Sequence, residues 1–198
     1  FSSHPTKEKI ILNVGRFYKQ LHAKRQDILI EAFKELTLRH TDLMKGWKLI
    51  LVGTIEDTEY VQSLQTQIGS APIQLMNDVS RSELIDLYQK SSVYWHATGY
   101  DVDEESLPEK VEHFGISTVE AMAAGAVPIV HYKGGQKEIL GEDLKQLGWI
   151  SIEECIENTA SVIKDKQQLA RFQTLARNRS EFYSKDIFDR KVEKLFSV

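Results

Sequence analysis

The sequence predicts a doubly wound α/β protein, a parallel sheet covered by helices on both faces, followed by a helical C-terminal tail. Three observations carry this. Short, unbroken apolar runs such as "KIILNVG" (residues 9–15) and "WKLILVG" (47–53) end in glycine, and a continuous rather than alternating run suits a strand buried on both faces. Between such runs the apolar residues recur at helical spacing. The two patterns alternate along the chain, which means repeated βαβ units and hence parallel strands.

The elements follow in order. After the first strand, Ile28, Leu29, Ala32, Phe33 and Leu36 mark one face of a helix. The second strand leads to Tyr60, Val61, Leu64 and Ile68, again at helical spacing. Pro72 opens a short strand, "IQLM". Ser80 and Glu83 then form a capping box, with Val79 and Leu84 placed as its hydrophobic staple, for a helix through about Lys90. "SVYWHAT" and "VPIVHY" are two further buried strands, and Pro128 sits near the start of the second, where a missing amide donor is tolerated. Beyond Gly148 the pattern turns to polar helices, marked by Ile152, Ile156, Ala160 and Ile163, then Leu169 and Phe172, and last Ile187, Phe188, Val192 and Leu195.

At 198 residues the chain suits one domain with a single core. Residues 1–8 are polar, contain Pro5 and resemble an interdomain linker, so residues 9–198 are expected to form one domain of a longer protein. The net charge of −4 gives no electrostatic reason to expect a nucleic-acid partner. No apolar run approaches the ~20 residues that span a bilayer, and the first residues lack the pattern of a signal peptide. Cys155 stands alone, which rules out an internal disulfide and a cysteine-cluster metal site. A cytoplasmic protein is the expectation.

In open α/β sheets ligands bind beyond the carboxyl ends of the strands, where helix N-termini present amide N–H groups and positive dipole to an anion. Three such ends carry unusual residues. In "GRFYKQLHAKR" (15–25), Arg16 follows the strand-ending glycine and Lys24 closes the loop, so the two cations are placed to converge on a phosphate, although Lys24 equally suits simple solvation. Lys19, His22 and Arg25 read as surface residues. In "EHFGISTVE" (112–120), a helix starting near Ser117 leaves Glu112 in the preceding loop and Glu120 in the first turn. Gly115 would let a phosphate approach the amides of residues 115–118 closely. On spacing alone, however, Ser117 and Glu120 are first of all a capping box, which needs no ligand. In "HYKGGQKE" (131–138), Gly134 and Gly135 turn into a helix near Gln136, and Glu138 suits the dipole of its first turn. His96 and His131 end strands near this crevice and read as packed or hydrogen-bonded residues. No dinucleotide fingerprint, P-loop or nucleophile elbow occurs.

Taken together, "GRFYKQLHAKRQDILIEAF", "WKLILVG", "VSRSELIDLYQKSSV" and "EHFGISTVEAMAAGAVPIV" with the following Gly-Gly resemble the C-terminal, donor-binding domain of the retaining "group 1" glycosyltransferases of GT-B fold. The resemblance runs from about Ile10 to Leu140, and its most specific part is the glutamate-x7-glutamate motif before "AMAAGAVP". It implies a Rossmann-like half of a GT-B fold and a nucleoside-diphosphate sugar as substrate. Glu112 matches the glutamate beside the donor sugar and the reaction centre. Glu120 matches the one that accepts from the ribose hydroxyls, a role that displaces the capping box as the leading expectation. Arg16 and Lys24 match the basic pair that neutralises the leaving diphosphate. Gly115 and Ile116 match the backbone segment at the diphosphate and sugar, and Gly15, Phe114, Ser117 and Gly135 complete the implied donor contacts. Asn77 to Val79 fall where the family holds the nucleobase.

The resemblance further implies transfer with retention by front-side attack through an oxocarbenium-like state, with no metal and no cofactor required because Arg and Lys stabilise the leaving group. "VYWHATGYD" with the motif that follows resembles the branch that transfers mannose from GDP-mannose to lipid-linked acceptors. An acceptor glycan or lipid-linked sugar would bind through an N-terminal domain that this chain does not contain, and membrane contact would also come from that half. Three rivals stand beside this expectation: a sugar-nucleotide epimerase of the same fold, a non-catalytic nucleotide-sugar binding subunit, and a metal-dependent transferase using Asp101 and Asp103. Those two aspartates sit in an acidic run with Glu104, Glu105 and Glu109, which also suits a solvated face.

Overall fold

A computed structural model of the chain describes residues 6–20 and 23–196. His22, expected at the surface, and residues 1–5 of the linker-like stretch lie outside the described residues. Six parallel strands form one sheet in the order β3-β2-β1-β4-β5-β6. They are β1 (Glu8–Val14), β2 (Lys48–Val52), β3 (Ile73–Met76), β4 (Ser91–His96), β5 (Val127–His131) and β6 (Gly148–Trp149). Between them run α1 (Gln26–Arg39), α2 (Thr58–Ile68), α3 (Arg81–Lys90), α4 (Ile116–Ala123) and α5 (Gly135–Leu140), and then α6 (Ile152–Lys164), α7 (Lys166–Ser180) and α8 (Lys185–Phe196).

The central strands are buried as their composition requires. Every residue of β4 and β5 is buried, as are Ile10 to Asn13 of β1 and Leu49 to Val52 of β2. The strand order reverses between β1 and β4, where one chain crossing leads left and the other right. This is the topological switch point, where the loops part and leave a crevice.

The expected sheet and helical tail are both present, with three refinements. β6 was not legible, because two residues give no periodicity. The tail is not a separate appendage: Cys155, Ile156 and Ala160 of α6 and Phe172 and Ala176 of α7 are part of the main core. Trp95 Nε1, wholly buried on β4, donates to Thr159 Oγ1 on α6 at 3.1 Å. Only α8 buries nothing, and Phe188, Leu195 and Phe196 along it are exposed. At the other end, Lys7 Nζ reaches the carbonyls of Ser91 and Ala124, both at 2.8 Å, so this part of the linker-like stretch is tied to the ends of α3 and α4. Among the described residues no helix is long and apolar enough to cross a membrane.

The capping box at Ser80 forms as expected: Glu83 N donates to Ser80 Oγ, and Ser80 N donates to Glu83 Oε2 at 2.9 Å. Arg25 is a correction. It is no free surface residue: its guanidinium binds Asp27, donates to the Tyr100 carbonyl at 2.8 Å and lies over the Tyr100 ring. A left-handed φ of 51° at Arg25 makes the turn into α1 that aims it there.

His131 closes β5 and is 1% exposed, packed 4.7 Å from the Trp149 ring with Nδ1 on the Trp149 carbonyl. Burial, with Lys133 nearby, pulls its pKa down to about 4. A histidine depressed in this way stabilises the fold fully above its unfolded value and loses that contribution as pH falls through the folded one, here between about 6.5 and 4. The expected loss is about 3 kcal/mol. His131→Asn, which keeps an N–H near the Nδ1 position, should flatten the decline of melting temperature across this window. An equally steep decline in the variant would contradict the assignment.

Candidate donor-binding crevice at the switch point

The crevice is assembled from three segments. The first is the loop from Gly15 to Arg25 after β1. The second is the segment from His96 to Gly115 after β4, which leads into α4. The third is the Gly134-Gly135 turn after β5. The segment Glu112–Gly115 is threaded tightly against the turn. Gly135 N donates to the Glu112 carbonyl at 2.7 Å, and a Cβ on Gly135 would lie 2.4 Å from the His113 carbonyl oxygen, so no larger residue fits. Gly115, at φ 101°, is the N-cap of α4 and allows the reversal from loop to helix. Its α-carbon also faces Gln136, whose side chain is fully buried with both amide atoms unpartnered, and a Cβ there would come within 2.3 Å of it.

This start of α4 overturns the Ser117 capping box. The helix begins at Ile116, so Ser117 lies inside it, and no side chain caps the first turn. Ser117 Oγ instead receives the Tyr94 hydroxyl at 2.7 Å from the floor of the crevice. Glu120 falls in the second turn rather than the first, and accepts from Arg81 of α3 at 2.9 Å. Thr118 N and Val119 N donate to the Gly115 carbonyl, but among the described residues the amides of Gly115, Ile116 and Ser117 have neither a backbone partner nor a side-chain cap, and with the helix dipole they make an anion-ready end.

Beside that end lies the strongest polar contact of the site. Glu112 Oε2 accepts from Lys24 Nζ at 2.6 Å and from His96 Nε2 at 3.0 Å. The Lys24 and Glu112 side chains are only 18% and 16% exposed, and that of His96 1%. Burial alone would raise the Glu112 carboxyl, but the hydrogen bond from His96 and the charge of Lys24 more than offset it and hold its pKa at about 2. Burial also pulls His96 below its ordinary value. At neutral pH a carboxylate and an ammonium thus face each other with a neutral imidazole behind them.

The remaining expected residues fall around this centre. Gly15, Arg16, Gly53, Asp78, Val79 and Leu84 line a cavity of about 290 Å³ at the carboxyl ends of β1 to β3. Gly15 abuts Lys24, and Tyr94 spans Ser117 and the Val14 carbonyl, so the cavity and the Glu112 centre adjoin. Arg16 does not meet Lys24 on a common point: exposed, it pairs with Glu56 at 3.1 Å. Asn77 is exposed and bonded to its neighbour Asp78. The Phe114 ring turns away toward Tyr183, at 5.5 Å, and the Ile116 side chain is 68% exposed. The Gly135 amide donates to the Glu112 carbonyl. Asp103 caps its own turn through Ser106 and the Glu105 amide, and Glu104 pairs with Lys137 and Gly134. No group of three His, Cys, Asp or Glu among the described residues is placed to hold a metal ion. A larger cavity of about 710 Å³, beside His40 and the α6–α7 junction, contains none of the expected site residues. His96 and Gln136 are the site residues that sequence reasoning missed as such. The one signal for His96 was a polar residue ending an otherwise apolar strand.

With this geometry in hand, the chain can be compared with known proteins. The family described as glycosyl transferases group 1 matches residues 1–179. The chain belongs to that family, as the resemblance implied. It is 26% identical over 192 residues to the GDP-Man:Man(3)GlcNAc(2)-PP-Dol alpha-1,2-mannosyltransferase of Dictyostelium discoideum, covering 92% of this chain and 36% of the relative. To an uncharacterized glycosyltransferase of Methanocaldococcus jannaschii it is 30% identical over 144 residues, 72% of this chain and 32% of the relative. Across these curated relatives the chain spans about a third of their length. Its fold is shared with Anabaena HepE in complex with UDP and glucose, at TM-score 0.72 and 20% identity over 97% of this chain and 49% of that one. The S. aureus TarM structure with UDP gives TM-score 0.71 and 16% identity over 100% of this chain and 37% of that one. The chain therefore has the Rossmann-like half of a GT-B fold, as expected from sequence.

The Lys24–Glu112 pair makes a direct prediction. The stability Glu112 contributes is present above the ordinary glutamate value and is lost as pH falls through about 2. Lys24→Met removes the ammonium, so a carbon-detected NMR titration should find the Glu112 carboxyl moved upward, toward its ordinary value. An unchanged titration would contradict the pair.

Proposed function

We propose that this chain is the C-terminal, donor-binding domain of a retaining glycosyltransferase that transfers a hexose, with mannose from GDP-mannose the leading case, to an acceptor glycan or lipid-linked sugar. The single observation that carries the proposal is the meeting of Lys24, Glu112 and the uncapped end of α4 at the switch point. Family membership and the names of the mannosyltransferase relatives support the donor class.

In this mechanism the diphosphate lies on the first amides of α4, and Lys24 leaves Glu112 to bind it. The helix dipole and the ammonium then stabilise the charge that develops as the bond from diphosphate to sugar breaks. Arg16, from the rim of the adjoining cavity, adds a second cation once it exchanges Glu56 for phosphate. Glu112 positions the sugar, and Glu120 accepts from the ribose. The acceptor hydroxyl attacks the same face that the diphosphate leaves and gives its proton to the departing diphosphate oxygen, so the two glutamates do not form the acid and nucleophile pair of a glycosidase. No metal takes part. An N-terminal domain outside this chain supplies the acceptor, and the chain alone binds donor without turnover. A cytoplasmic location belongs to this reading and rests on composition alone.

Calorimetric titration of the chain with GDP, UDP and ADP, each with EDTA and with magnesium, tests the proposal. Metal-independent binding of one nucleotide is expected, with GDP the winner if mannose is the sugar. Glu120→Ala should weaken that nucleotide more than it weakens inorganic diphosphate. Binding that requires magnesium, or equal losses for the two ligands, would contradict the assigned roles.

A further inference from the structure

His96 is the last residue of β4, buried to 1% in a strand otherwise made of Ser, Val, Tyr and Trp. Its one polar contact is Glu112 Oε2, across 16 residues of chain. Nδ1 is buried and has no partner among the described residues. That settles the tautomer on chemical grounds. A proton on Nε2 satisfies the contact with the carboxylate. A proton on Nδ1 would bury an N–H without an acceptor and turn the Nε2 lone pair toward a negative oxygen. His96 therefore gives Glu112 a neutral N–H donor from a rigid strand end, whereas Lys24 comes from a loop and carries the charge that an anionic ligand would claim.

We infer that His96 is a positioning residue that keeps Glu112 in place when Lys24 is drawn away to the diphosphate, holding Oε2 so that Oε1 faces the donor sugar. The inference rests on the donor-domain function proposed above and divides the work at Glu112 between two partners. In the free domain both hold one oxygen, and in the loaded domain only His96 remains. Loss of His96 then has a specific consequence: Glu112 either follows Lys24 or turns, and recognition of the sugar suffers while recognition of the nucleotide does not. A merely structural role would weaken both ligands together.

The test compares the parent chain with His96→Leu and His96→Gln, the latter carrying an amide N–H at the reach of Nε2. Binding of GDP and GDP-mannose, and of UDP and UDP-glucose, is measured by calorimetry together with the melting temperature. For the pair that the parent binds, His96→Leu should leave the nucleoside diphosphate within about twofold and weaken the nucleotide sugar roughly tenfold. His96→Gln should recover most of that loss. If the leucine variant binds the nucleotide sugar as the parent does, or loses both ligands equally, the positioning role is overturned while the donor-domain function stands. If the parent binds none of the four and no ADP either, the donor-domain function is overturned and the inference falls with it.

Discussion

One carboxylate oxygen, Oε2 of Glu112, fastens the crevice together. It receives Lys24 from the loop after β1 and His96 from the end of β4, the two strands between which the sheet reverses direction. The backbone of the same residue is held by the Gly135 amide from the turn after β5. Three crossings that are distant in sequence are thus joined at one residue. A carboxylate this enclosed is tolerable only because both donors reach it, since a buried charge without partners costs several kcal/mol. The fold explains why they can: parallel strands end side by side, so the loop after β1, the end of β4 and the turn after β5 meet at one crevice.

The ion pair lies next to the start of α4. Lys24 and Glu112 neutralise each other where both side chains are largely buried. At the uncapped start of α4 beside them, the amides of Gly115, Ile116 and Ser117 are unpartnered among the described residues. On the function proposed above, a diphosphate would compete with Glu112 for Lys24 and gain the helix end as well. Glu112, still held by His96, would then face the part of the ligand that follows the diphosphate.

Much of the fold was legible from sequence because its signals are local. Short unbroken apolar runs bounded by glycine, such as Ile10 to Leu12 and Leu49 to Val52, suit strands buried on both faces, and the Ser80–Glu83 box marks its helix without tertiary help. β6 escaped, being two residues joined to β5 chiefly by its neighbours. At the site the motif residues were found but their partners were not. The spacing of Ser117 and Glu120 satisfies a capping box, yet the left-handed Gly115 starts the helix too early for it, and the carboxylate is left for Arg81. The turn at Arg25, the departure of Arg16 to Glu56 and the contact between His96 and Glu112 all depend on which loops meet across the sheet. Residue spacing carries no record of that.

The most direct measurement is a crystal structure of the chain with GDP-mannose or UDP-glucose bound. The account predicts the diphosphate on the first amides of α4, Lys24 Nζ moved from Glu112 to a phosphate oxygen, and Glu112 still joined to His96. A nucleotide bound elsewhere, or bound there with the Lys24–Glu112 pair unbroken, would contradict it.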